Sequence, residues 1–430
     1  SSHLGPGCVG RTPRNSMSWP AFEGIEGDEG AQADTAAGLQ RAISIEDLER
    51  AAKGLAAGVR PWEAGGFAHL RTLQAAHNSC IRVDEMSRGC EGARVAVKRL
   101  PTWWAQGDQA EFRRCHPRDE EQPWLDLAVL SELNRRHFPY ACDLVGVFCD
   151  GEWTYAATQL ASHGDLFTWS ASEPARPGPD REAAMRPIVD QLCTALRWLH
   201  ELGVAHCDLC LENVVLAGGE PGGAAPLRPM LIDFGRAALG RLQGVPGGPQ
   251  GGCQARAPYR APELHRVGWQ YDAFLADEFA LGVAVYGMAT VDYPWACTED
   301  GRSHHFDLAR RCGVPALLRR RAARSGERLT EALSLDLLGL LAGLLALEAR
   351  DRLSVGEACF ELEGRASARR SPWIREVTAG APADTAARME PPPALCREPS
   401  RTSSASTADT EADQGQHVAS EGEELAAAGL

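Results

Sequence analysis

One eight-residue stretch, His206-Cys207-Asp208-Leu209-Cys210-Leu211-Glu212-Asn213, carries an aspartate and an asparagine five positions apart, and Asp233-Phe234-Gly235 follows twenty residues after Asn213. These residue types in this order point to phosphoryl transfer. An aspartate can orient a hydroxyl and accept its proton, while an amide oxygen and a second carboxylate hold magnesium against phosphate. Asp208, Asn213 and Asp233 supply those three groups. A bare His-x-Asp arises by chance in many chains. The asparagine at its spacing, the short apolar strand Val214-Val215-Leu216 and then Ile232-Asp233-Phe234-Gly235 together argue against coincidence.

The stretch resembles the catalytic loop H-R-D-L-x-x-x-N of the eukaryotic protein kinase family, and Asp233-Phe234-Gly235 resembles that family's metal-binding turn. The resemblance implies Asp208 as the base, Asn213 and Asp233 as magnesium ligands, and ATP with Mg2+ as cofactors. Glu212 before Asn213 resembles the Ser/Thr-directed form of the loop. Two departures carry expectations of their own. Cys207 stands where the family has the arginine that receives an activation-segment phosphate, and residues 236 to 258 contain no Ser, Thr or Tyr, so no such phosphate is expected. Cys210 stands where Ser/Thr-directed members place a lysine, so the chain is expected to lack a charge-stabilising donor there. Cys207 and Cys210 also form a C-x-x-C, a spacing shared with redox and metal sites. In the resemblance their side chains point apart, whereas a disulfide needs Cα atoms within about 7 Å, so two independent reduced thiols are expected.

These groups need a scaffold. Residues 67 to 76, 79 to 86 and 94 to 98 read as three strands, the third being Arg94-Val95-Ala96-Val97-Lys98. It resembles the family's V-A-I-K, which makes Lys98 the ligand of the α- and β-phosphates and adds Ala96 to the nucleotide contacts. The family's glycine triad is missing: alignment from Thr72-Leu73 puts Gln74, Ala76 and Ser79 in the glycine positions, with Ala76 and Ser79 left as nucleotide contacts. Residues 101 to 123 form a long insert in which Trp103, Trp104 and Phe112 read as packing aromatics. A helix follows over 124 to 136. Its apolar set Val129, Leu130 and Leu133 puts Asp126 on the face toward the lysine, about 240° from Glu132, so Asp126 is the expected partner of Lys98. A solvated first-turn acid is the alternative.

Residues 145 to 148 and 153 to 158 read as a hairpin leading into Gln159-Leu160-Ala161-Ser162-His163-Gly164-Asp165, which resembles the family's hinge. There adenine pairs with backbone groups, here those of Gln159 and Ala161, with Thr158 as the gate and Asp165 facing the ribose. A Thr or Asp in such a turn also commonly just caps it. Ile188, Val189, Leu192, Ala195, Leu196 and Leu199 give a helical stripe, with Pro187 at its start or at a kink. Tyr259-Arg260-Ala261-Pro262-Glu263 resembles the family's A-P-E, which related small-molecule kinases lack, and so implies a protein substrate. The same resemblance pairs Glu263 with Arg352 and bonds Asp277 to the catalytic-loop backbone.

Of 430 residues 44% are hydrophobic and 24% charged, enough for a large core. The net charge of -14 argues against nucleic acid or an anionic membrane as partner and suits a basic protein substrate. The longest apolar run, 337 to 347, is shorter than the roughly 20 residues of a bilayer span, so no membrane span is expected. Fourteen cysteines without paired spacing point to reduced thiols and a cytoplasmic setting, although Ser1 is not a methionine and leaves a leader open. The oligomeric state is left open. The expected fold is α+β and two-lobed, a small, mainly antiparallel β lobe with one key helix above a larger, mainly α lobe. The expected domain covers 65 to 372, divided into an N-lobe (65 to 158), a hinge (159 to 164) and a C-lobe (165 to 372). Residues 1 to 64 read as a largely disordered extension with a helix over 45 to 57, and 373 to 430 as a disordered tail. Ser403, Ser404 and Ser406 in it are candidate modification sites. The missing arginine and glycine triad resemble the FIKK group of kinases. The rival reading is a pseudokinase scaffold, since the loop, the lysine partner and the Cys210 position are all altered while Lys98, Asp208, Asn213 and Asp233 remain.

Overall fold

The computed structural model describes residues 41–75, 82–89, 92–102, 122–172, 176–218, 227–244 and 256–375. Ser44 opens α1 (Ile45–Ala57) through a reciprocal cap: its hydroxyl accepts the Asp47 N–H, and the Asp47 carboxylate accepts the Ser44 N–H. The amphipathic period then turns Leu48 and Ala52 inward. Strands β1 (Arg60–Pro61), β2 (Phe67–Ala75), β3 (Arg82–Arg88), β4 (Ala93–Pro101), β5 (Leu144–Cys149) and β6 (Trp153–Gln159) form one sheet in the order β1-β5-β6-β4-β3-β2. Only the β1–β5 pair is parallel. The strand expected over 79 to 86 is β3, which begins at Arg82 and runs on to Arg88; residues 79 to 81 lie outside the described ones.

Alternation along β4 sorts its side chains between two faces. Val95 and Val97 join Met86, Phe148, Tyr155 and Ala157 in a core on one face, against which Trp62 packs, stacked on Tyr155 at 3.9 Å. Ala96 and Lys98 take the other face. There α2 (Pro123–Arg135) packs by Leu127 against Val147 and Ala156. The far end of α2 is braced: Arg136 pairs with Asp47 of α1 at 3.2 Å, and the Ile43 N–H donates to Leu202 O at 2.7 Å. One short segment therefore ties α2 to the helical lobe.

That lobe opens with α3 (Leu166–Ser172) and α4 (Pro179–Glu201). The expected apolar stripe of α4 is buried, but its start is not at Pro187. Gly178-Pro179 sets it eight residues earlier, with proline in the first turn where its missing N–H costs nothing, and Pro187 falls inside the helix. Short pairs follow: β7 (Val204–Ala205) with β10 (Ala238–Leu239), β8 (Val214–Ala217) with β9 (Arg228–Leu231), and β11 (Leu242–Gly244) with β12 (Gln270–Asp272). Helix α5 (Ala273–Thr290) has 18 residues and is apolar enough to match a membrane span by composition. It is buried along its whole length and carries Asp277 and Glu278, which makes it the core helix of this lobe. Helices α6 (His304–Cys312), α7 (Val314–Arg320), α8 (Leu329–Ala332), α9 (Leu335–Leu344) and α10 (Ala358–Leu362) complete it. The fold is the two-lobed α+β arrangement expected.

Candidate active site

Lys98 lies on the face of β4 that looks toward α2. Its Nζ is 3.0 Å from Asp126 Oδ2 and 3.0 Å from Asp233 Oδ1. Asp126 therefore stands where the helical stripe places it. Glu132, on the other side of the helix, is buried against Arg135 at 2.6 Å and Arg136 at 2.7 Å. Asp126 has a second bond that the stripe does not reveal: its Oδ1 accepts the backbone N–H of Phe234 at 2.8 Å. Burial pushes the Asp233 carboxyl upward, and Lys98, with His206 and Arg236, reverses this and holds it below the usual carboxylate range.

The catalytic loop hangs from α5. Asp277 accepts the N–H of His206 at 2.6 Å and of Cys207 at 2.8 Å. Those bonds hold Cys207 at φ 60°, a left-handed conformation that non-glycine residues adopt only when their surroundings impose it. Asp233 is likewise left-handed, at φ 67°. Asp277 is held in turn by His200 Nε2 at 3.1 Å, while His200 Nδ1 is 2.5 Å from Glu357. Burial favours a neutral His200, but Asp277 and Glu357 outweigh it and raise the imidazole to about 9. The ring of His206 faces inward to Ile232 O at 3.1 Å.

Asn213 donates its amide nitrogen to Asp208 O at 2.9 Å and to Asp208 Oδ2 at 3.2 Å, which leaves its amide oxygen as an acceptor, and its backbone O accepts the Ile232 N–H at 3.0 Å, one residue before Asp233. Burial raises the Asp208 carboxyl, partly offset by Arg236, whose Nε is 3.9 Å from it. Below the loop, Arg352 grips Glu263 with two bonds of 2.7 and 3.0 Å, as the family resemblance implies. Among the described residues, neither Cys207 nor Cys210 forms a disulfide. Cys210 is fully buried, and burial raises its thiol far from a reactive range.

On the hinge side, Thr158 sits directly across from Ala96, its Oγ1 3.5 Å from Ala96 O. Gln159 ends β6 with its N–H taken by Asp143 O at 2.9 Å, and Ala161 lies half-buried in the turn beyond. Asp165 caps α3: its Oδ1 accepts the Thr168 N–H at 2.7 Å. Gln74 pairs with Val83 near the end of β2, within the strand read over 67 to 76 and past two register shifts. Ala76, Ser79 and the aromatics Trp103, Trp104 and Phe112 lie outside the described residues.

The sequence reading missed what stands beside Ala96. Glu85 is directly across β3–β4 from it, fully buried, and paired with Arg71 at 2.6 Å and with Arg94. By alternation this carboxylate lies on the face shared by Ala96 and Lys98. Isolated strand charges give no such signal; only the pairing register brings the three together. Arg256 was missed for the same reason, and it pairs with Glu212 inside the catalytic loop. A cavity of about 850 Å³ in the helical lobe, lined by Pro262, Phe306, Val314 and Leu347 among others, contains none of these residues.

Residues 91–361, well over half of the chain, match the model of the protein kinase domain family. The chain is 31% identical over 176 residues to CBL-interacting protein kinase 4 of Oryza sativa subsp. japonica, covering 39% of this chain and 35% of that protein. It is 31% identical over 230 residues to serine/threonine-protein kinase SAPK9 of the same organism, covering 54% and 60%. To serine/threonine-protein kinase SBK1 of Danio rerio it is 27% identical over 252 residues, covering 56% of each. The matched part thus spans about a third to three fifths of these relatives' lengths. With the loop of Asp208 and Asn213, the Asp233-Phe234-Gly235 turn and the strand lysine Lys98 arranged on a two-lobed fold, and a family match over residues 91–361, the chain belongs to the protein kinase domain family.

Proposed function

We propose that the chain transfers the γ-phosphoryl group of magnesium-bound ATP to Ser or Thr hydroxyls of a protein substrate, with no phosphate required on its activation segment. The observation that carries this is Lys98 Nζ at 3.0 Å from both Asp126 and Asp233, which joins strand, helix and metal-binding turn in one arrangement. The donor set fits the implied group: the Asn213 amide oxygen and the Asp233 carboxylate are hard oxygen ligands of the kind magnesium takes. MgATP, when bound, supplies the phosphoryl group and the cation that offsets its charge.

Asp208, tethered by Asn213, would orient the acceptor hydroxyl and take its proton, and its burial brings its proton affinity closer to that of a working base. Lys98 would orient the phosphates. Support for independence from phosphorylation comes from Arg241, which pairs with Asp272 and Glu363 and lies 4.2 Å over the Phe360 ring. The cysteine in place of the loop arginine, on which the likeness to the FIKK group also rests, agrees with that reading. The net charge of -14 favours a basic substrate.

A scaffold without transfer is the second reading, favoured by one observation. The buried Glu85, clamped by Arg71 and Arg94 beside Ala96, puts charge on the nucleotide-facing side of the sheet. Magnesium-dependent transfer of labelled γ-phosphate, measured beside Asp208→Ala, decides between the two. Transfer that needs Asp208 supports the enzyme, and nucleotide binding with no transfer supports the scaffold.

A further inference from the structure

Cys210 leaves the catalytic loop without the cation expected two residues after Asp208, and its side chain is packed wholly into the core. A cation nonetheless stands at the loop. The turn from Arg256 to Tyr259 folds back on it: the Tyr259 N–H donates to Arg256 O at 2.8 Å, the Tyr259 hydroxyl accepts the Leu211 N–H at 3.3 Å, and Trp295 Nε1 donates to Pro258 O at 2.9 Å. This turn delivers the Arg256 guanidinium to Glu212, four residues after Asp208. Glu212 engages Nη1 of a group that carries five donors, and the side chain is still 39% exposed. Burial works against the charge on Arg256, but the carboxylates of Glu212 and Asp208 hold its proton.

We propose that Arg256 is the cationic donor to the transferred phosphoryl group, supplied from the activation segment in place of the loop lysine that Cys210 replaces. The proposal rests on the phosphoryl-transfer reading of this site. As the substrate oxygen bonds to phosphorus, its proton passes to Asp208, and the bond from phosphorus to the leaving diphosphate breaks with the electron pair going to the diphosphate oxygen. Negative charge gathers beside Asp208 in that step, and a planar guanidinium with several donors offsets it at two oxygens at once. The alternative is that Arg256 only clamps Glu212.

The test uses the full chain with labelled ATP, magnesium and a peptide library with one central Ser or Thr. Arg256→Ala should lower kcat about 100-fold with little change in KM for ATP. Millimolar guanidinium chloride should restore much of that loss in Arg256→Ala and nothing in Asp208→Ala. Glu212→Gln breaks the pair but keeps the cation, so it should cost no more than about threefold. Arg256→Ala at the parent rate, or Glu212→Gln as impaired as Arg256→Ala, overturns the proposal while the transfer reading stands. A parent as inactive as Asp208→Ala removes the transfer reading and this proposal with it. Thermal melts of each variant separate lost chemistry from lost folding.

Discussion

Asp126 accepts the backbone N–H of Phe234 at 2.8 Å with one oxygen while its other oxygen holds Lys98 at 3.0 Å. The acid of α2 therefore fixes the metal-binding turn directly, in addition to the strand lysine. A carboxylate on a short side chain can serve both partners at once because α2 packs close to the sheet through Leu127, Val147 and Ala156.

Asp126→Ala should reduce kcat/KM by about 100-fold, since Lys98 and the turn would both lose their fixed positions. Asp126→Glu, the longer acid usual in the family, should not act as a conservative change. The added methylene displaces the carboxylate from Phe234 or from Lys98, and activity well below the parent is expected. Steady-state kinetics of the two variants check this, and an Asp126→Glu variant at parental rate would contradict the two-ended role.

Asp208→Ala and Asp233→Ala should each lower transfer by about 1000-fold or more, because the proposed function makes the one its base and the other a metal ligand. Both side chains keep some exposure, 16% for Asp208 and 32% for Asp233, so melting temperatures should stay within a few degrees of the parent. Transfer that survives Asp233→Ala would show that the metal is held elsewhere.

Phosphatase treatment of the purified chain should leave its rate unchanged, because residues 236 to 258 contain no hydroxyl to phosphorylate and Arg241 anchors the segment to Asp272 and Glu363. Arg241→Ala should release that anchor and lower kcat about tenfold. Hydrogen exchange should report the loosening across β11 and β12. A large loss on phosphatase treatment alone would place a required phosphate outside the segment.

His200 gives a stability change with a defined sign. Its folded-state value is raised from 6.5 to about 9, so its contribution is complete below pH 6.5 and is lost as pH rises through about 9. The amount is on the order of 3 kcal/mol. The groups facing it are Asp277 and Glu357, with Glu278 beside Glu357 pushed well above the usual carboxylate range by burial. Denaturant melts from pH 6 to 9.5 should show this fall in the parent, and His200→Gln, less stable throughout, should lack it. Parallel slopes in the two proteins would remove His200 as the cause.

Much of the site was legible because its signals are local. The order of Asp208, Asn213 and Asp233 is a property of chain spacing, and the position of Asp126 follows from the 100° step of a helix whose apolar face is plain. The capping box at Ser44 is likewise a short-range pattern. Pro187 left two readings open, because a proline at the start of a helix and one inside it look alike until Gly178-Pro179 is seen to set the start. The register shifts between β2 and β3 were not legible, because they leave no mark on composition.

By itself, then, the sequence determined the groups that can do the chemistry and the helix faces that aim them, because both depend on residues a few positions apart. Beyond the pairs of Lys98 with Asp126 and Glu263 with Arg352, tertiary structure alone decided which charges meet. Glu85 lies between Arg71 and Arg94, Arg256 reaches Glu212, and His200 stands between Asp277 and Glu357. No local pattern links these partners, and such a charge shows nothing of its partner until strand register and loop path bring the two within a few ångströms, where reduced solvent screening makes the pairing count.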